Sequence, residues 1–435
     1  MNHIFLAACA CVWAITQPLI AYPQSLPTAN GGYELTLPDA LVIAQQRSTL
    51  LTAQDAAMHA SLEMGLAAAQ RPEPILRFGV NNWPITGPDR YSLTRDFMTM
   101  RSIGIAQEFT GNEKREAKIA RYQREAEVAQ ASREMALVAL QRDVATAWLS
   151  RHFQERLQTT LIAQRSEAKL QIEAADLAYR IAKGSQADVF AARLAAGQVE
   201  DLVALGERSL ASASARMARW LGGDATRPLG AAPLLDFAPI VPELAETHIK
   251  SHPQLKVLER QEQVVLADAV IAGASKTPDW TAELMFSQRG SGFSNMVSIN
   301  FSRPLPWNQA LRQDREVNAK LALAEQLSLQ REDLRREHLA ELNGTLLEWQ
   351  SNRDRLIRFE KQLIPLGHER ITASLVAYRS GSGNLTSVLE ARRMVLDLEV
   401  AAIRLAMETA ALWAQLNYLI PAHQNLRSAV QEKQP

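Results

Sequence analysis

Few residues in this chain stand at spacings that could do chemistry. Met98-Thr99-Met100 would put two thioethers on one side of an extended strand, a pairing suited to Cu(I) or Ag(I). In a hairpin loop, two such methionines serve equally as contacts with neighbours. His248 and His252 stand four apart, a chelating spacing on a helix, but Pro253 follows directly and no third ligand is evident. Gly290-Ser291-Gly292 lies between two extended runs and reads as a turn. The chain has no Gly-x-Ser-x-Gly, no phosphate-cradling glycine loop, no His-Glu-x-x-His and no Cys-x-x-Cys. The expectation is a protein that is not an enzyme and needs no cofactor, with Met98, Met100, His248 and His252 as its metal candidates.

The cysteines add nothing to that chemistry. Cys9 and Cys11 both lie in the apolar run from Ile4 to Ile20, which has the length and placement of a secretory signal peptide over 1–21, cut after Ala21. The mature chain would then contain neither a disulfide nor a reactive thiol. Leu6-Ala7-Ala8-Cys9 also has the form of a lipoprotein processing box, which makes Cys9 a candidate for lipidation. Lys plus Arg and Asp plus Glu number 47 each, so no net field attracts nucleic acid. No later stretch holds the 18 or so continuous apolar residues of a membrane helix.

The elements that carry these residues come twice. Ala178-Tyr179-Arg180-Ile181-Ala182-Lys183-Gly184 matches Ala377-Tyr378-Arg379-Ser380-Gly381-Ser382-Gly383 at an offset of 199, and the match runs on through Val189/Val388, Ala192/Ala391 and Arg193/Arg392. Beyond it, Val189, Ala192, Ala196, Val199, Val203, Gly206, Leu210, Ala213, Met217 and Trp220 follow a 3,4 spacing. Adding 199 gives the same seam from Val388 to Leu419. A 3.5-residue period holds one stripe against a neighbouring helix, so both copies predict coiled-coil segments.

Upstream, Pro38-Asp39 and Pro242-Glu243 each open a short helix, and a second helix follows each. The period then switches to two. Leu76, Phe78 and Val80, then Ile103 and Ile105, and in the second copy Leu284 and Phe286, then Val297, Ile299 and Phe301, alternate with small or polar residues. These are four strands in two hairpins, near 75–83, 100–109, 279–287 and 296–303. A long helix follows each hairpin, near 112–182 and 308–380. The first has no Pro and no internal Gly over about 70 residues, roughly 105 Å; the second carries Pro365 and Gly367, where a kink or break is expected. Return helices span 186–221 and 385–419. The organisation is thus an N-terminal extension over 22–35, repeat 1 over 36–221, a linker over 222–241, repeat 2 over 242–420 and a tail over 421–435.

The predicted fold class is mainly α with a small β part. Strands with an apolar outer and a polar inner face suit an outer-membrane barrel, and an open four-stranded sheet cannot sit alone in lipid. Three chains would give twelve strands, enough to leave a lumen above a tube of helices. A soluble helical bundle capped by two surface hairpins is the rival.

The duplicated order of helix, hairpin, long helix, turn and helix resembles the TolC-type outer-membrane efflux family, within it the CzcC/CusC-like branch that serves heavy-metal pumps of the RND class. The resemblance rests on the two tips, on Gln107-Glu108-Phe109 and Arg303-Pro304-Leu305-Pro306-Trp307 at the strand ends, and on Lys114-Arg115 at the helix start, and it covers 33–420. One departure is Ala182, which stands where the other copy has Gly381. The resemblance implies a homotrimeric 12-stranded β-barrel in the cell outer membrane, continued by a periplasmic α-helical barrel. It also implies a periplasmic adaptor and an inner-membrane RND pump as partners. Export of heavy-metal cations (Cu/Ag or Co/Zn/Cd) would be passive, with organic drugs or type I secretion as the other cargoes and a periplasmic coiled-coil scaffold as the reading of another class. Asp188 and Glu390 match positions where the family places acids at a constriction; Asp188 serves equally as a helix cap. Tyr378 could bond Asp188 across neighbouring hairpins. The adaptor-contacting tips would be Arg180, Lys183, Gly184, Arg379, Gly381 and Gly383.

Overall fold

A computed structural model describes residues 34–237, 240 and 245–420. The leader, Cys9, Pro242-Glu243 and the tail 421–435 lie outside the described residues. Thr36 caps the first helix, α1 (Leu37–Arg47), accepting from the Asp39 amide, and Pro38 sits in the first turn where its missing N–H is not needed. Ser48 ends α1 and caps α2 (Thr49–Ala69). Strands β1 (Ile75–Asn81) and β2 (Met100–Phe109) lead to α3 (Asn112–Arg180), a single helix of 69 residues, about 104 Å long at 1.5 Å per residue. After the first tip, α4 (Gln186–Leu221) returns and stops at Gly222, whose φ of 60° ends the helical conformation.

The second copy runs α5 (Ala245–Lys250), α6 (Pro253–Ala274), β3 (Trp280–Gln288), β4 (Met296–Ser302) and α7 (Gln313–Arg358). A π-helical turn over Phe359–Leu363 joins α7 to α8 (Ile364–Arg379), and α9 (Leu385–Asn417) returns. The expected kink at Pro365 and Gly367 therefore takes another form. The wide turn lies just before Pro365, so the helix continues past a residue that cannot donate to the carbonyl four positions back. Gly367 breaks nothing: a Cβ there would come within 2.7 Å of the Val395 side chain, so it lets α8 approach α9.

All four strands form one antiparallel sheet in the order β1-β2-β3-β4. The two hairpins meet through β2 and β3, in a register that opposes Ile103 to Phe286 and Ile105 to Leu284.

The largest core gathers at mid-length, where α1 packs on α3 and α4, and α5 on α7. Trp148 on α3 is fully buried there, its indole N–H donating to the Leu35 carbonyl at 3.1 Å. One turn on, the buried Arg151 donates to the carbonyls of Ala225 and Arg227 and pairs with Glu155. Leu35 also bridges to Leu229, so the segment between the copies is tied to the start of the first. The two heptad seams are buried or half-buried at every position from Val189 to Trp220 and from Val388 to Leu419.

Candidate functional site

Two regions can act, the sheet at one end and the paired helical tips at the other. In the sheet, the register lines up two transverse rows on one face, Leu76-Ile105-Leu284-Ile299 and Phe78-Ile103-Phe286-Val297. All eight side chains are exposed. The opposite face is polar: Arg77 pairs with Glu283 at 3.1 Å across β2, and Asn81 donates to Ser102. Aromatic residues bound the apolar rows. Phe109 stands opposite Trp280 at the helix end, each under a guanidinium, from Arg71 and Arg303 respectively, and Trp83 meets Tyr91 edge-on at the loop end. Both β1 and β4 are edge strands, so two rows of backbone donors and acceptors remain open. An exposed apolar face with open edges is a surface built to be covered. No helix among the described residues is long and apolar enough to cross a membrane, which says nothing of a barrel.

At the tips, two different sequences make one turn. Lys183 donates its amide to the Ala178 carbonyl at 2.8 Å, and Ser382, its counterpart, to the Ala377 carbonyl at 3.0 Å. Gly381 has φ of 77° and Ala182 has 57°, so the first tip keeps the left-handed turn without glycine. Gly184 and Gly383 each bring the turn so close to the preceding helix that an added Cβ would sit 3.1 Å from Ala178 or Ala377.

Asp188 is tied up in capping. It accepts from the Ser185 amide at 2.9 Å and the Ser185 hydroxyl at 2.7 Å, while Ser185 accepts from its amide, a reciprocal box at the start of α4. At the second tip Asn384 caps α9 by accepting from Ser387, which stands where Asp188 stands in the first copy. Glu390 lies a turn further on and is exposed. Tyr378 packs against the apolar tip cluster of Ala175, Val189, Ala192, Leu385, Val388 and Leu389. Among the described residues no hydrogen bond joins it to Asp188 within the chain. Arg180 pairs with Asp176 at 2.6 Å, and Lys183 and Arg379 are exposed.

The contacts that join the two hairpins come from residues that sequence reading did not single out as partners. Arg392 on α9 pairs with Glu167 on α3, and Arg393 reaches Gln198 on α4 at 2.6 Å. Arg392 was visible as the match to Arg193, but its acid partner lies 225 positions away and has no local signal.

The metal candidates do not assemble. Met98 is in the loop before β2 rather than on a strand; its amide bonds to Asp96, and the buried Thr99 hydroxyl donates to the Asn82 carbonyl, so this segment is a loop closure. His248 is on α5 whereas His252 is the residue before α6, so the helical i,i+4 geometry is absent because the helix has ended between them. His252 instead packs its ring on His338, centroids 4.1 Å apart. Burial, then the neighbouring His338 and Arg142, push His252 down to a pKa of about 4. His338 in turn contacts Glu341 at 3.1 Å and Gln254 at 3.0 Å. Among the described residues no group of three or more His, Cys, Asp or Glu is placed to hold a metal ion.

No family model and no curated protein matches the chain. Solved structures do. The chain is similar to CusC, a transmembrane channel, with a TM-score of 0.74 at 13% identity over 89% of this chain and 92% of that one. It is similar to the outer membrane protein VceC of Vibrio cholerae, with a TM-score of 0.69 at 16% identity over 88% and 95%. The MtrE outer membrane channel of Neisseria gonorrhoeae, in its open state, gives 0.70 at 16% over 88% of each. These neighbours are channels rather than enzymes. At such identities the likeness is one of fold, and this chain has the fold of the TolC-type outer-membrane channels.

Proposed function

We propose that three copies of this chain form the outer-membrane conduit of a tripartite efflux pump. The observation that carries the reading is the open sheet with an exposed apolar face, joined to helices about 100 Å long. Strands of seven residues span about 24 Å, close to the apolar band of an outer-membrane barrel. Pairing β1 of one copy with β4 of the next would satisfy both edges, and three copies give twelve strands.

A second feature supports the same closure. The α9 stripe Leu389, Leu396, Ile403 and Ala410 is buried, while its α4 equivalent, Phe190, Gly197, Ala204 and Ala211, is exposed within one chain. In a ring, α4 would meet the next copy as α9 meets its own neighbours. The organisation into repeats over 36–221 and 242–420 fits this role.

The finer points are part of the proposal. Cargo is a heavy-metal cation, by the likeness of the tips and strand ends to the CzcC/CusC-like branch. Asp188 and Glu390 line the constriction, with Tyr378 of a neighbouring hairpin reaching Asp188 when the pore is closed. Arg180, Lys183, Gly184, Arg379, Gly381 and Gly383 meet the adaptor. The small seam residues Ala192 and Ala213, with Gly206 close against Gln158, permit helix pairs to slide at modest cost.

Membrane fractionation with gel migration of unheated and heated samples tests the conduit. A heat-sensitive trimer in the outer-membrane fraction is expected; a soluble monomer overturns the reading in favour of a periplasmic scaffold. Metal sensitivity of a deletion strain tests the cargo. Unchanged metal tolerance together with new sensitivity to organic drugs would reassign it.

A further inference from the structure

Away from the sheet and the tips, a cavity of about 500 Å³ opens between α3, the last turns of α4 and Gln415 at the end of α9. Its walls carry three guanidinium groups, Arg142 from α3 and Arg216 and Arg219 from α4. Asp143 is the one carboxylate there, and it accepts two bonds from Arg142, at 3.0 and 3.1 Å. Neither Arg216 nor Arg219 has an acid partner among the described residues. The cavity therefore holds three positive groups against one negative in a chain whose total charge is zero.

The cavity is shaped for more than a bare ion. Arg219 lies 5.2 Å from the Trp220 ring centre, which fixes its head beside an aromatic surface, and Ala147 and Ala213 add small apolar walls. Ser150 supplies a hydroxyl. A volume of this size is that of an organic-ligand site, and an inorganic anion would leave most of it empty. Thr146 and Ser150 leave α3 on the side of Arg142, whereas Trp148 and Arg151, which take Leu35 and the turn at Gly222–Thr226, leave it on the other. The cavity borders the mid-length core, against which its Ala147 and Trp220 walls also pack.

We infer that this cavity is a binding site for an organic anion. A phosphate or carboxylate head is held in the fork of Arg216 and Arg219, with Arg142 opposite, and an aromatic or alicyclic body lies against Trp220, Ala147 and Ala213. Guanidinium groups hold such heads through paired, charge-assisted hydrogen bonds, and the apolar walls select a ligand with a body. The site goes beyond the conduit reading and is independent of what the conduit carries, since it rests on the walls of one chain.

The full-length protein in detergent would be titrated with 1-naphthyl phosphate, following naphthyl fluorescence, with inorganic phosphate and 1-naphthol as the two halves of the ligand. Saturable binding of the whole ligand is expected, at least tenfold tighter than either half. Replacing both exposed arginines (Arg216→Gln with Arg219→Gln) should weaken it tenfold or more with no change in helical circular dichroism. Arg208→Gln, another exposed α4 arginine, should leave it unchanged. Absence of binding by the unsubstituted protein overturns the inference. So does equal binding of 1-naphthol or of inorganic phosphate, or equal weakening by Arg208→Gln. Gel migration of the same samples reports separately on the trimer, so a failure here and a failure of the conduit reading are told apart.

Discussion

Heptad by heptad, α9 buries Leu389, Leu396, Ile403 and Ala410, while the equivalent residues of α4, Phe190, Gly197, Ala204 and Ala211, face solvent. The two hairpins share a tip turn and a 199-residue register, yet one return helix is enclosed by its own chain and the other is not. Composition follows this difference: three of the four enclosed residues are Leu or Ile, and three of the four open ones are Gly or Ala. The long outgoing helices differ as well, since α3 is unbroken and α7 reaches α8 only through a π turn before Pro365. Duplication thus fixes where the turns fall, and the surroundings of each copy determine what each helix must bury.

The largest test of that contrast exchanges burial for space. Leu396→Ala removes a side chain with 2% exposure and should lower the unfolding free energy of the chain by about 2–5 kcal/mol in urea melts followed by circular dichroism. Phe190→Ser, one heptad nearer the tip on the open stripe of α4, should leave the urea midpoint of the monomer unchanged and lower the temperature at which the trimer dissociates on gels. Equal losses in the monomer would mean that α4 and α9 are enclosed alike.

A second contrast lies where each copy breaks its first helix. Ser48 caps α2 through its hydroxyl, whereas His252, in the corresponding place before α6, makes no side-chain cap and packs on His338. The groups facing His252 are His338 with its partner Glu341, and Arg142 from α3. Its folded pKa of about 4 lies below the ordinary histidine value of 6.5. Between those two values the unfolded chain binds a proton that the folded chain does not. Stability is therefore full above about pH 6.5 and falls as the pH drops toward 4, by about 3 kcal/mol in all. His252→Ser should flatten that slope in melts taken from pH 7 to 4; an unaltered slope would assign the acid loss to other groups.

The tips offer a smaller contrast. Asp188 closes a capping box, and its counterpart Ser387 only donates to Asn384. Asp188→Ala should cost about 1 kcal/mol, against a few tenths for Ser387→Ala, in thermal melts. If Asp188→Ala changes single-channel conductance in planar bilayers while Asp188→Asn keeps the cap but changes ion preference, the acid has a role in the pore beyond capping.

Strand alternation made the sheet legible, because period two survives whether the apolar face meets protein or lipid. Tip turns and seams were legible from the repeat. The helix end between His248 and His252 was legible too, since Pro253 marks it. Two features were not, each for want of a local signal. The pairing of Arg392 with Glu167 joins residues from separate hairpins. The arginine-lined cavity combines Arg216 and Arg219, one turn apart, with an arginine more than 70 positions earlier, and no motif spans that gap.

Ala182 gives the finest comparison. It holds φ of 57° where Gly381 holds 77°, and both tips place the next residue's amide on the same helical carbonyl. A Cβ in the left-handed region costs roughly 1–2 kcal/mol, which Ala182→Gly would remove. The same change loosens the unfolded chain, worth about 0.4–1 kcal/mol in the opposite direction. The net expectation is a stabilisation of about 0–1.6 kcal/mol, read as a rise in melting temperature. Gly381→Ala, for which both effects reverse, should give a loss of similar size. A fall on Ala182→Gly would mean that the alanine methyl makes a contact worth more than the strain, and that the first tip is packed in the assembled protein in a way the second is not.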